Sequence, residues 1–309
     1  MIRSLLAPIA SIAMSLVCAC GVHATAVTPA GKDETVAADR LAWLATCKDW
    51  DDWDKPAPPW RIHGNTWYVG TCGITAILIT GSAGSVLIDT GTEKGARVVA
   101  RNIRALGIRM SNVRLLLNSH EHLDHVGGTA WMQQRTGALV VTSPEAASVL
   151  ASGIPDAADP QFGLLEPFPA VRIDQVLYPD ESVQLGDIRL VPVETPGHTP
   201  GALSWQWRSC DGNDCRWIVY ADSLSPVSRD GYRYSDHAWM VAKFRAGIAR
   251  LAALDCDIVL TPHPSSSDMP TRMADAAGLD DPDGCKTYAA SIARRLDARI
   301  AKEADGGMP

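Results

Sequence analysis

The chain has 309 residues, a formal net charge of −7, 46% hydrophobic residues and 20% charged ones. That length holds one large domain or two small ones, and the composition supports a sizeable core and excludes global disorder. Lys and Arg are not clustered, so a nucleic-acid footprint is excluded as well.

The N-terminus reads as an export signal over residues 1–26. Arg3 supplies the positive end, Leu5 to Val17 is an apolar run too short to span a bilayer comfortably, and Ala24-Thr25-Ala26 is a small-residue cleavage site. Val17-Cys18-Ala19-Cys20 is the alternative, a lipoprotein-like site with Cys20 lipidated. Residues 27–40, small and polar, are expected to form a flexible leader to a single domain that runs to residue 309.

Six cysteines remain in the mature chain, an even number that in an exported protein points to disulfides, with 15 connectivities open. Cys210 and Cys215 flank the turn sequence Asp211-Gly212-Asn213-Asp214 and are expected to close a hairpin. Cys47–Cys72 and Cys256–Cys285 are the expected remaining pairs. No Cys-x-x-Cys pair supports the rival use as zinc ligands.

A tryptophan-rich part follows, with Trp43, Trp50, Trp53 and Trp60. Pro56, Pro58 and Pro59 make Trp53 to Trp60 an extended arm. Strands are predicted at Thr66–Val69, Ile74–Thr80 and Ser85–Asp89, punctuated by Gly81 and Gly84. A helix carrying Ala96, Val99, Ile103 and Leu106 on one face ends at Gly107. The apolar strand Val113 to Leu117 then delivers Asn118-Ser119-His120-Glu121-His122-Leu123-Asp124-His125 at a strand-to-helix turn. After a helix to Gly137 and a strand at Ala138–Val141, Ser143 caps another helix with Pro144 in its first turn.

From Gly153 to Pro169 no period holds. A loop this long, carrying Phe162, Leu164 and Leu165, reads as a lid or binding loop or as surface decoration. The second half repeats the style of the first. Strands at Ser182–Leu185 and Ile188–Val193 lead to the Gly/Pro turn Glu194 to Gly201, which presents His198. A hairpin, Leu203–Trp207 with Arg216–Tyr220, runs into Ala221-Asp222-Ser223-Leu224-Ser225. A helix from His237 to Leu254 precedes a strand that ends at Thr261-Pro262-His263-Pro264, and an amphipathic helix closes the chain from Cys285 to Glu303. Strand clusters interleaved twice with helices predict two sheets with helices outside and a site along one edge.

His120 and His122, two apart on an extended turn, can grip one cation; Asp124 and His125 face slightly away and can hold a second. Imidazole and carboxylate suit zinc. With His198 and His263 also at strand-end turns, six ligands make three per ion, the pattern of catalytic zinc with an open position. His63 and His237 have no such partners and are expected at the surface.

These residues resemble the metallo-β-lactamase superfamily, and its subclass B3, over about Trp53 to Tyr288. The landmarks are Gly64-Asn65-Thr66-Trp67-Tyr68-Val69-Gly70-Thr71, Leu87-Ile88-Asp89-Thr90-Gly91, the His120–His125 cluster, Gly197-His198-Thr199-Pro200-Gly201, Ala221-Asp222-Ser223-Leu224-Ser225 and Thr261-Pro262-His263-Pro264. The resemblance implies an α/β fold, a four-layer αββα sandwich of two similar halves. It implies two zinc ions, one on His120, His122 and His198 and one on Asp124, His125 and His263. It implies opening of the β-lactam ring of small-molecule antibiotics by a metal-bound hydroxide that Asp124 orients, without a covalent intermediate, and a periplasmic location. Ser223 and Ser225 match serines that meet the substrate carboxylate, Tyr232 a tyrosine near the oxyanion, and Trp53 and Phe162 walls of the groove. Asp89 is a candidate partner for a metal histidine, and Cys256–Cys285 matches a subclass disulfide. The competing reading is a thioester hydrolase of the glyoxalase type or a lactonase. There an aspartate at about the place of Asp222 bridges the metals.

Overall fold

The computed structural model describes residues 32–178, 180–275 and 278–305. The expected export signal, with Arg3, Cys18, Cys20 and the Ala26 cleavage site, lies outside the described residues. The first half runs α1 (Lys32–Thr46), β1 (Trp60–His63), β2 (Thr66–Tyr68), β3 (Ile77–Gly81), β4 (Gly84–Ile88), α2 (Glu93–Ala105), β5 (Val113–Leu117), α3 (Leu123–Val126), α4 (Thr129–Thr136), β6 (Leu139–Thr142), α5 (Pro144–Ser152) and β7 (Gln175–Val176). The second half runs β8 (Val183–Leu185), β9 (Ile188–Glu194), β10 (Leu203–Asp211), β11 (Asp214–Tyr220), α6 (Ala238–Ala252), β12 (Ile258–Leu260), α7 (Met269–Ala274) and α8 (Gly284–Ala304). Among the described residues these strands form a seven-stranded sheet in the order β1 to β7 and a five-stranded sheet in the order β12-β11-β10-β9-β8.

Side-chain alternation along the strands explains the layering. In β4, Val86 and Ile88 join a core between the two sheets, while Leu87 faces the helix side with Ala96, Val99 and Ile103 of α2. In β11, Ile218 and Tyr220 enter the same central core; Val219 faces Phe244 and Ile248 of α6 and Tyr288 and Ile292 of α8. The result is helices, sheet, sheet, helices. Trp205 and Trp207 are the bulk of the central layer, and their indole N–H groups donate to Asn118 O (2.8 Å) and Thr66 Oγ1 (3.0 Å), so neither is buried unpaired.

The helix boundaries follow local chemistry. Thr92 Oγ1 accepts from Gly95 N at 3.0 Å at the start of α2, and Gly107 takes the left-handed conformation (φ 76°) just after it. Ser143 caps α5 in the same way, with Pro144 at the first helical position.

One expectation is corrected. The stretch 27–40, read as a flexible leader, gives way to helix α1 at Lys32. The reason lies in tertiary contacts: Trp43 is fully buried edge-on against Tyr68, and Cys47 bonds Cys72, so the end of the helix is anchored to the first sheet. The disulfides Cys47–Cys72, Cys210–Cys215 and Cys256–Cys285 form as expected.

The strand directions place the site. β4 runs parallel to β5, and β11 parallel to β12, so each pair delivers its C-terminal ends to the same edge. Asp89 follows β4, His120 follows β5, Asp222 follows β11 and His263 follows β12. Two backbone bonds join the halves there, Leu203 N to Ser119 O (2.7 Å) and Thr75 N to Pro262 O (2.8 Å).

Candidate metal centre

Five histidines and an aspartate from three separate turns converge on that edge. The rings of His120, His122 and His198 stand 4.8–4.9 Å apart, nearly perpendicular to one another, and present one nitrogen each within 4.8 Å of the others. Beside them Asp124 Oδ2 lies 3.0 Å from His125 Nε2 and 3.3 Å from His263 Nε2. Donors on one tetrahedral ion at 2.0–2.2 Å stand about 3.3–3.6 Å apart, so these separations suit a shared cation. His120 and His125, with ring centroids 4.2 Å apart, lie where the two groups meet.

Four of the five histidines are held by their other nitrogen. His120 Nδ1–H donates to Asp222 Oδ1 (2.8 Å), His122 Nε2–H to Asp159 Oδ2 (2.8 Å), His198 Nδ1–H to Ser225 O (3.0 Å) and His263 Nδ1–H to Gly73 O (3.3 Å). His125 Nδ1 lies 3.3 Å from Asp89 Oδ2. Such partners fix tautomer and ring direction. His120 Nε2, aimed inward, is buried with no hydrogen-bond partner in the protein, and His125 Nε2 meets only the Asp124 carboxylate. A buried, unpaired lone pair in a cluster of neutral and anionic donors fits a cation and little else.

The electrostatics favour neutral donors at two of these rings. Burial and the neighbouring imidazoles hold the pKa of His120 well below the ordinary value and push His198 down to about 3, which keeps both as neutral donors. Burial works against both charges in the Asp124–His125 pair, but their mutual attraction wins: Asp124 stays well below the usual carboxylate range and His125 rises to about 10.

The turns that aim these residues are braced. Asp89 has φ 61°, and its carboxylate accepts from Ser119 N (2.7 Å), Ser119 Oγ (2.7 Å) and Tyr220 Oη (2.8 Å). Glu121, between His120 and His122, is buried; it accepts from Thr199 Oγ1 (2.6 Å) and Gly201 N (2.8 Å) and so ties the first-half turn to the turn of His198. Burial pushes its carboxyl up to about 7 despite those two donors. Gly197 has φ 146°, and any Cβ there would sit 2.2 Å from the Phe244 ring, so that turn requires glycine.

The other residues singled out from sequence sit as follows. Ser223 is buried, its hydroxyl unpaired, and Ser225 Oγ lies 3.3 Å from His198 Nδ1. Tyr232 is buried, stacked on His237 at 4.6 Å, and burial pushes its hydroxyl up to about 12, which keeps it a proton donor. Trp53 is exposed with its ring 6.3 Å from His263, and Phe162 is exposed on the 153–169 loop. Asp159, Glu121 and Trp50, whose ring is also 6.3 Å from His263, were not read from sequence as part of the site. The signal available for Glu121 was a carboxylate enclosed between two histidines; Asp159 carried none.

Residues 69–211 match the sequence profile of the metallo-beta-lactamase superfamily. The solved structure of the MIM-2 metallo-beta-lactamase is 51% identical, with 86% of this chain and 98% of that one covered at a TM-score of 0.83. MEM-A1, a subclass B3 metallo-beta-lactamase from a soil metagenome library, is 39% identical over 82% of this chain and 100% of that one, at a TM-score of 0.78. A hydroxyacylglutathione hydrolase of Anaeromyxobacter dehalogenans (strain 2CP-C) is 31% identical over 229 residues, 74% of this chain and 72% of that protein. With its two-sheet sandwich and a histidine-rich, metal-binding edge, the chain belongs to the metallo-β-lactamase superfamily and, within it, to subclass B3.

Proposed function

We propose that this protein hydrolyses the amide of the β-lactam ring, using two zinc ions. His120, His122 and His198 hold one ion, and Asp124, His125 and His263 hold the other. Bound there, zinc polarises the amide carbonyl and makes water a nucleophile near neutral pH by lowering its pKa from 15.7 to about 7. The chain's own groups do the rest. Asp222, Asp159, Asp89 and the carbonyls of Ser225 and Gly73 keep each imidazole lone pair aimed inward. Ser223 and Ser225 bind the substrate carboxylate, Tyr232 holds its proton toward the oxygen on which charge develops, and Trp53 and Phe162 line the groove.

The observation that carries this reading is the direction of Asp222. One oxygen accepts from His120 Nδ1 and the other from Leu224 N at 3.1 Å, which turns the carboxylate toward the ring of a proposed ligand and suits an orienting role. His263 Nε2, 3.3 Å from Asp124 Oδ2, is the donor we assign to the second cation site. The glyoxalase-type thioesterase needs the bridge. The hydroxyacylglutathione hydrolase likeness is the reason to test that alternative.

Zinc-loaded protein assayed against a panel of β-lactams, simple lactones and a glutathione thioester decides between them. We expect turnover of the β-lactams; hydrolysis of the thioester or lactones alone would overturn the assignment. Ser223→Ala and Ser225→Ala are expected to raise KM about tenfold with little change in kcat, because each removes a ground-state hydrogen bond to a charged group. Steady-state kinetics check this, and a fall in kcat at unchanged KM counts against the role.

We also propose that residues 1–26 direct export to the periplasm and are removed. Three disulfides suit an oxidising compartment. No helix of the described residues is long and apolar enough to cross a membrane.

A further inference from the structure

The loop from Gly153 to Pro169 is mostly exposed, yet Asp159 within it is only 3% exposed. Its neighbours Asp156, Ala157 and Ala158 on one side and Phe162, Gly163 and Leu164 on the other face solvent. A buried carboxylate is costly unless paired, so its partners define why it is there. They are two: Oδ2 accepts from His122 Nε2–H at 2.8 Å, and Oδ1 accepts from Gln161 N at 2.7 Å. The first partner belongs to the metal centre and the second to the loop itself. The loop is pinned further by Arg229 N, which donates to Pro160 O at 2.9 Å from the second-half segment that carries Tyr232.

We infer that Asp159 is a positioning residue that couples this loop to the metal centre. By accepting from Nε2 it fixes His122 in the tautomer whose Nδ1 lone pair is free for a cation. By holding Gln161 N it makes the fold of the Phe162 segment depend on where that ring sits. The coupling is reciprocal: a cation that immobilises His122 also orders the loop, and an ordered loop tightens the cation. The wall of the substrate groove and the affinity of the first metal position are then one linked property. The inference rests on the metal assignment above but not on the identity of the substrate.

The test measures metal and loop directly. Zn²⁺ affinity of the full mature chain is measured by competition with a chromophoric chelator for the wild type, Asp159→Ala, Asp159→Asn and, as a control on the same loop, Asp156→Ala. Loss of a partner of this kind costs about 10- to 100-fold in metal affinity. We expect that loss at one of the two positions in Asp159→Ala, a smaller loss in Asp159→Asn, which retains an acceptor oxygen for Nε2–H, and none in Asp156→Ala. Hydrogen exchange of residues 156–164 should slow on adding Zn²⁺ to the wild type and respond far less in Asp159→Ala. Thermal melting of the metal-free proteins separates this from misfolding, and the Asn variant carries the test if the Ala variant does not fold. If Asp159→Ala binds both ions as tightly as the wild type, or its loop responds to Zn²⁺ to the same extent, the coupling is refuted while the metal assignment stands. A wild type that binds no Zn²⁺ removes both.

Discussion

Stripping the purified protein with a strong chelator is expected to lower β-lactam turnover by at least about 10³-fold, and adding back two equivalents of Zn²⁺ to restore it. The size follows from what the ions supply: several kcal/mol of transition-state stabilisation, at about 1.36 kcal/mol per tenfold in rate. No protein group at the site can replace them, because the nearby histidines are turned by their hydrogen bonds to point lone pairs, not protons, at its centre. Removal should also lower the melting temperature, since binding to the folded state stabilises it by mass action and the stripped site leaves His120 Nε2 buried and unpaired. Metal content by elemental analysis beside kcat/KM checks the claim. Full activity in metal-free protein would be incompatible with it.

The second large effect separates His263 from Asp222. His263→Ala deletes a donor 3.3 Å from Asp124 Oδ2 and, on the proposed assignment, leaves that position with two protein ligands. One ion should become labile and kcat/KM should fall about 10³-fold, as for any change that empties part of a two-metal site. Asp222→Asn should keep both ions. An amide oxygen can still accept from His120 Nδ1–H, but the amide nitrogen would then face the N–H of Leu224, so one of two hydrogen bonds is lost. A cost near tenfold is expected, the low end for a group that only orients a ligand. If Asp222→Asn loses an ion while His263→Ala retains both, Asp222 bridges the metals and the enzyme belongs with the thioester hydrolases in its chemistry.

The elements that local rules govern were legible in the chain. The apolar run before His120 is β5, Ser143 and Pro144 start α5, and Gly107 follows α2, because caps, turns and side-chain periodicity act over a few residues. The spacing of His120, His122, Asp124 and His125 likewise declared a metal site, since four donors on one turn have few other uses. Short edge strands such as β1 and β7, and helix α1, were not read. Their stability comes from partners far along the chain: β7 from pairing with β6, and α1 from Trp43 against Tyr68 and the bond to Cys72.

The same division holds within the site. Sequence alone determined which residue types could bind metal and that each ends a strand. Tertiary structure decided which way each one faces. Asp159 reaches His122 across 37 residues, Glu121 reaches Gly201 across 80, and Asp222 reaches His120 across 102. Those hydrogen bonds choose the tautomers of His120 and His122 and turn Asp222 toward a histidine. No spacing rule encodes that choice, because it is made by the packing of two sheets against each other, where leaving a buried polar group unpaired is costly.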